Sequence, residues 1–129
     1  MILQINTTDS TPVYEQISRQ IKNAVISGEL VPGAPLPAIR QLATDLELNP
    51  NTVAKAFQLL ERNQIIFTAG RKGSFVHKLA KEKAEQYSQE QVAQKLADII
   101  DISFDQGLNA QQITNIFKEQ LNIAKRGLK

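Results

Sequence analysis

Within "LNPNTVAKAF", residues 48–57, Asn49, Asn51, Thr52 and Lys55 bring amide, hydroxyl and ammonium groups into less than two helical turns. These are the groups that read the major groove: asparagine pairs with adenine, threonine meets a thymine methyl or an acceptor, and lysine favours guanine or a phosphate. Farther on, "AGRKG" sets Gly70, Arg71 and Lys72 in a basic turn suited to gripping phosphates or entering a minor groove. Arg40, in "LPAIRQLA", adds a fourth cation. The bland readings of the same residues are a solvated helix face and an ordinary charged hairpin tip.

Bond-making chemistry finds little support. The chain has no cysteine, which removes thiolate catalysis and thiolate metal sites, and its one histidine, His77, cannot form a two-histidine metal site. "GRKG" follows a short strand run and does not open a helix, so it is not a phosphate loop. Asp98, Asp101 and Asp105 repeat along one helix side and read as a solvated face. No catalytic residue, metal or cofactor is expected.

The elements that position the polar groups follow from periodicity and turn chemistry. Val13, Ile17, Ile21, Ala24 and Val25 predict a first helix, with Thr11 as cap, Pro12 at its first position and Gly28 as stop. "VPGA" predicts a turn. A second helix is expected over about residues 38–46 on Ile39, Leu42, Ala43 and Leu46, with no side-chain cap at Ala38. A third is expected from Pro50 to about Arg62, capped by Asn49, with Val53, Ala56, Phe57 and Leu60 inward and Asn51, Lys55, Gln58 and Arg62 outward. "IIFT" and "SFVH" flank the basic turn as a hairpin. The sum is a winged helix-turn-helix over residues 1–77.

Residues 78–87 are charged and helix-prone and read as a linker expected to be helical, a solvated tether by default. Beyond it, residues 88–129 carry two helices, each opened by a capping box, Ser88 with Gln91 and Asn109 with Gln112, and separated at Gly107. Their apolar stripes are Val92, Leu96, Ile99, Ile100 and Phe104, then Ile113, Ile116, Phe117 and Leu121. About forty residues are too few for a stable core alone, so the stripes need a partner. A second copy of the same hairpin predicts a homodimer; packing on the same chain's winged domain is the alternative. The fold class is therefore mainly α with a small β wing, followed by a two-helix dimerisation tail.

Composition is that of a globular protein, with 42% apolar and 22% charged residues, and no apolar run is long enough for a membrane span. The N-terminus has no basic region before a long apolar segment, so a cytoplasmic protein without a membrane partner is expected. Net charge is only +2, but the basic excess lies in residues 1–78, with eight Lys/Arg against six Asp/Glu.

Taken in order, "PVYEQI", "SGELVPGAPLP", "RQLA", "NPNTVAKAF" and "GRKGSFV" resemble the winged helix-turn-helix of the GntR family of bacterial transcription regulators. The resemblance covers about half the chain, and the short two-helix tail is similar to the YtrA subfamily. It implies a double-stranded DNA operator as partner, dimerisation through the tail, and repression of operons that often include ABC-type transporters. It also implies that Arg40 reaches DNA, as the arginine of the family's "LPSERELA"-type motif does. Arginines that other subgroups place at the positions of Pro50 and Ala54 are missing, which shifts readout toward Asn51, Thr52 and Lys55. Glu47 and Gln64 stand where relatives have glycine, and the wing glycine falls at Gly70, with Arg71 after it.

The sequence thus implies a homodimeric repressor on an inverted-repeat operator, with an unidentified small-molecule effector left open. The rival from another class is a winged-helix protein-interaction module without DNA specificity, which the missing arginines favour.

Overall fold

The computed structural model describes residues 2–128. Helices α1 (Val13–Ser27), α2 (Ile39–Leu46) and α3 (Pro50–Arg62) come first. Strands β1 (Ile66–Thr68) and β2 (Ser74–Val76) flank a single 3₁₀ turn at Gly70–Lys72, and helices α4 (Ala80–Asp105) and α5 (Ala110–Gly127) follow. Two compact units result, one ending at Ser88 and one beginning at Gln89.

The first unit is built on Ile17, Ile21 and Val25 of α1, Leu42 and Ala43 of α2, and Val53, Ala56, Phe57 and Leu60 of α3, all buried. Ile65, Ile66 and Val76 close this core from the wing. Burying a large aliphatic or aromatic side chain contributes about 1.5–3 kcal/mol, so the three helices are held by this shared face more than by their own propensity. The wing is antiparallel, pairing Ile66 with Val76, Phe67 with Phe75 and Thr68 with Ser74. The loop before α2 runs along β2: Gly33 and Leu36 donate to the carbonyls of Val76 and Ser74, and Val76 donates to Ala34.

Three differences from the sequence expectations have local causes. Pro12, not Thr11, is the cap residue of α1: its carbonyl accepts from Glu15 and Gln16 at 3.0 and 3.1 Å. The Thr11 carbonyl instead accepts from the Gln16 side chain. Second, no helix begins at Ser88, because α4 runs unbroken from Ala80 to Asp105. Third, the 78–87 linker is helical from Ala80 onward, as expected, but it is no solvated tether. Ala80 and Ala84 are fully buried in the core of the first unit, so the helix is nucleated upstream and the Ser88 pattern falls inside it.

Ahead of α1 the chain is clasped by two glutamines one helical turn apart. Gln20 exchanges bonds with the backbone of Gln4, and Gln16 with that of Asn6, at 2.7–2.9 Å. Leu3 is thereby carried into the core.

In the second unit α4 ends in a tight turn. Gly107, at φ 91°, donates to Phe104, while Leu108 donates to Ser103. Asn109 and Gln112 then form both bonds of the expected capping box, at 2.8 and 2.9 Å, and start α5.

Candidate nucleic-acid interface

Helix α3 is started by its own sequence. The Asn49 side-chain oxygen accepts from the Asn51 N–H at 2.8 Å, and Pro50, which has no N–H to leave unpaired, takes the first helical position. That cap occupies the amide oxygen of Asn49, so the residue's first task is structural. Asn51 and Lys55, one turn apart, are both exposed, whereas Thr52 is half-buried. The inward face of the same helix is Val53, Ala56, Phe57 and Leu60, which fixes by elimination which side faces out.

The turn that sets α3 against α2 closes on a left-handed residue. Glu47 has φ 56° and ψ 43°, and its N–H bonds back into the last turn of α2. Leu48 N–H reaches the Ala43 carbonyl at 2.8 Å. After α3 the arrangement repeats: Gln64 has φ 61°, and Ile65 N–H reaches Leu60 at 2.9 Å. Both are the positions where the family resemblance leads one to expect glycine, and both take the conformation that glycine tolerates best.

Arg40 is exposed at the second position of α2. Ala38 offers no side-chain bond to the start of that helix, so its first-turn N–H groups are met by no capping side chain. At the wing, Arg71 and Lys72 are exposed within the 3₁₀ turn, which the Ala69 N–H closes onto the Gly73 carbonyl at 2.9 Å. Gly70 at φ 56° and Gly73 at φ 101° permit that tight tip.

Two cation–aromatic contacts were not foreseen. The Lys55 ammonium lies 4.1 Å from the centre of the Tyr14 ring on α1. Two turns further along α1, the buried Lys22 ammonium lies 3.3 Å from the centre of the Tyr87 ring on α4, and burial pushes its pKa down to about 8. The Glu15 carboxylate acts in the opposite direction. Ser18, between Tyr14 and Lys22 on the same face, is buried with its hydroxyl unpaired. Tyr14 lies inside the "PVYEQI" motif, but nothing local to that motif points to Lys55.

In the second unit the expected dimerisation residues are on the surface. Val92, Leu96, Ile99, Ile100, Phe104, Ile116, Phe117 and Leu121 are exposed, and Ile113 is half-buried. Ile102 and Ile123 are exposed as well and were missed because they fall outside the stripes read from sequence. No described helix is long and apolar enough to cross a membrane.

A helix-turn-helix with a polar outward face, followed by a basic wing, defines a winged-helix DNA-binding protein. Residues 13–76 match the family described as bacterial regulatory proteins, gntR family. The chain is 34% identical to the HTH-type transcriptional repressor YtrA of Bacillus subtilis over 99% of its own length and 98% of that protein's. The protein belongs to the GntR family, and it is a DNA-binding transcription regulator rather than an enzyme.

Solved structures agree with that assignment over most of the chain. A transcriptional regulator from Oenococcus oeni, 30% identical, superposes with a TM-score of 0.73 over 93% of this chain and 99% of its own. YtrA from Sulfolobus acidocaldarius, a GntR-family transcription factor, is 28% identical with a TM-score of 0.57, covering 95% and 98%.

Proposed function

We propose that the protein is a homodimeric repressor that binds an inverted-repeat operator, possessing two copies of the α3 and wing surface. The observation that carries dimerisation is the state of the second unit, where a run of large aliphatic and aromatic side chains is exposed and no described residue is buried. An unpartnered surface of that kind marks an association site. Repression is supported by the near full-length similarity to a protein named as a repressor. Control of a transporter operon rests on the subfamily resemblance.

At the DNA, Asn51, Thr52 and Lys55 read base edges from the first turns of α3, where the groove admits one helix. Arg40 and the first-turn N–H groups of α2 hold a phosphate, and Arg71 and Lys72 hold the flanking backbone, with Gly70 letting the tip approach closely. Asn49 contributes through the cap that orients Asn51. With few cations per protomer, one domain binds weakly and two-fold pairing doubles the contacts.

Fluorescence anisotropy on the DNA upstream of the protein's own gene tests this reading. Salt-sensitive binding that falls with Arg40→Ala and with Lys55→Ala is expected. Dimerisation without salt-sensitive DNA binding would instead favour an interaction module that reads no DNA.

A further inference from the structure

We propose that Tyr14 is a positioning residue for DNA readout, acting through Lys55. This rests on the reading that Lys55 contacts DNA and adds the reason its ammonium is in place before DNA arrives. A lysine on an exposed helix face samples many rotamers, and fixing it on binding costs affinity. Here the ammonium sits 4.1 Å from the Tyr14 ring centre, within the range of a cation–π attraction. An ammonium has three N–H donors; the ring face engages one side of the group and leaves the others for a guanine edge or a phosphate.

The ring is itself anchored. Tyr14 is half-buried against the core that α1 shares with α3, and its hydroxyl donates to the Glu15 carboxylate at 3.2 Å. The two partners therefore ride on helices locked by Ile17, Ile21, Val53 and Phe57, all buried. Lys55 is also the one cation in residues 50–57, the first turns of α3. One preordered lysine then does more of the reading than a mobile one.

A double-mutant cycle on the full-length chain separates this role from mere packing. Affinity for the bound DNA is measured for wild type, Tyr14→Leu, Lys55→Ala and the double variant, with Tyr14→Phe as the conservative control. Tyr14→Leu is expected to weaken binding about threefold to tenfold, the range for ordering one flexible side chain. Tyr14→Phe keeps the ring and restores binding. In the Lys55→Ala background, Tyr14→Leu has no further effect. An equal loss in both backgrounds overturns the proposal, because it shows Tyr14 acting independently of Lys55. If Lys55→Ala alone leaves affinity unchanged, the underlying reading of Lys55 fails first.

Should Tyr14→Leu fail to fold, NMR of the wild-type protein decides. Ring-current upfield shifts of the Lys55 ε-protons that persist on adding DNA support the proposal. Shifts that vanish in the complex overturn it, since the DNA would then have pulled the ammonium off the ring.

Discussion

Replacing Glu47 and Gln64 by glycine should stabilise the DNA-binding unit without weakening DNA binding. Both residues hold left-handed backbone, at φ 56° and φ 61°, which costs an L-residue with a side chain about 1–2 kcal/mol. Glycine removes that strain but restores unfolded-chain entropy worth about 0.4–1 kcal/mol, so each substitution nets roughly 0.5–1 kcal/mol. The backbone bonds from Glu47 to α2 and from Ile65 to Leu60 do not involve the side chains and are kept. For a unit of this size about 1 kcal/mol moves the melting temperature by roughly 4–8 °C, so the double variant, at about 1–2 kcal/mol, should melt about 4–16 °C higher. Thermal denaturation followed by circular dichroism reads the shift, and anisotropy checks that affinity is held. A double variant melting at or below the wild-type temperature would refute the claim that these two turns store strain.

Other outcomes follow from single contacts. Asn49→Ala should lose about 1 kcal/mol of stability in urea titration, while Asn49→Asp, which can still cap, retains most of it. Lys22 has a folded-state pKa of about 8 against an ordinary 10.5. Between those values the unfolded chain binds more protons, so the stability of wild type relative to Lys22→Met should rise as pH passes from 8 to 10.5, as measured by urea midpoints. If the second unit mediates the proposed dimer, Ile99→Asp and Leu121→Asp, which place charge on its exposed apolar positions, should shift the protein toward monomers in analytical ultracentrifugation.

What could be read in the sequence was local. The Asn49 and Asn109 caps act over two or three residues, and the bounds of α3, the wing strands and the turn at Gly107 follow from patterns of the same short range. The unusual residues at Glu47 and Gln64 were legible only through the family resemblance, and the positive φ that both hold is what the structure adds. What escaped depended on distant partners. The Ser88 box resembles the Asn109 box, yet burial of Ala80 and Ala84 in the first unit carries α4 through it. Nothing near Lys22 in sequence marks it as buried, because what covers it is Tyr87, on another helix. Periodicity says which face of a helix is apolar; it does not say which aromatic ring a lysine on the other face will meet, as with Tyr14 and Lys55.

Footprinting tests the central claim most directly, that two copies of this chain read DNA through α3 and the wing. Hydroxyl-radical cleavage of the upstream DNA should show two protected half-sites related by an inverted repeat, with centres separated by about 10 base pairs or a multiple of that spacing. Arg40→Ala should reduce protection of both half-sites together. Protection confined to one half-site, or cleavage unaltered by saturating protein, would contradict the account.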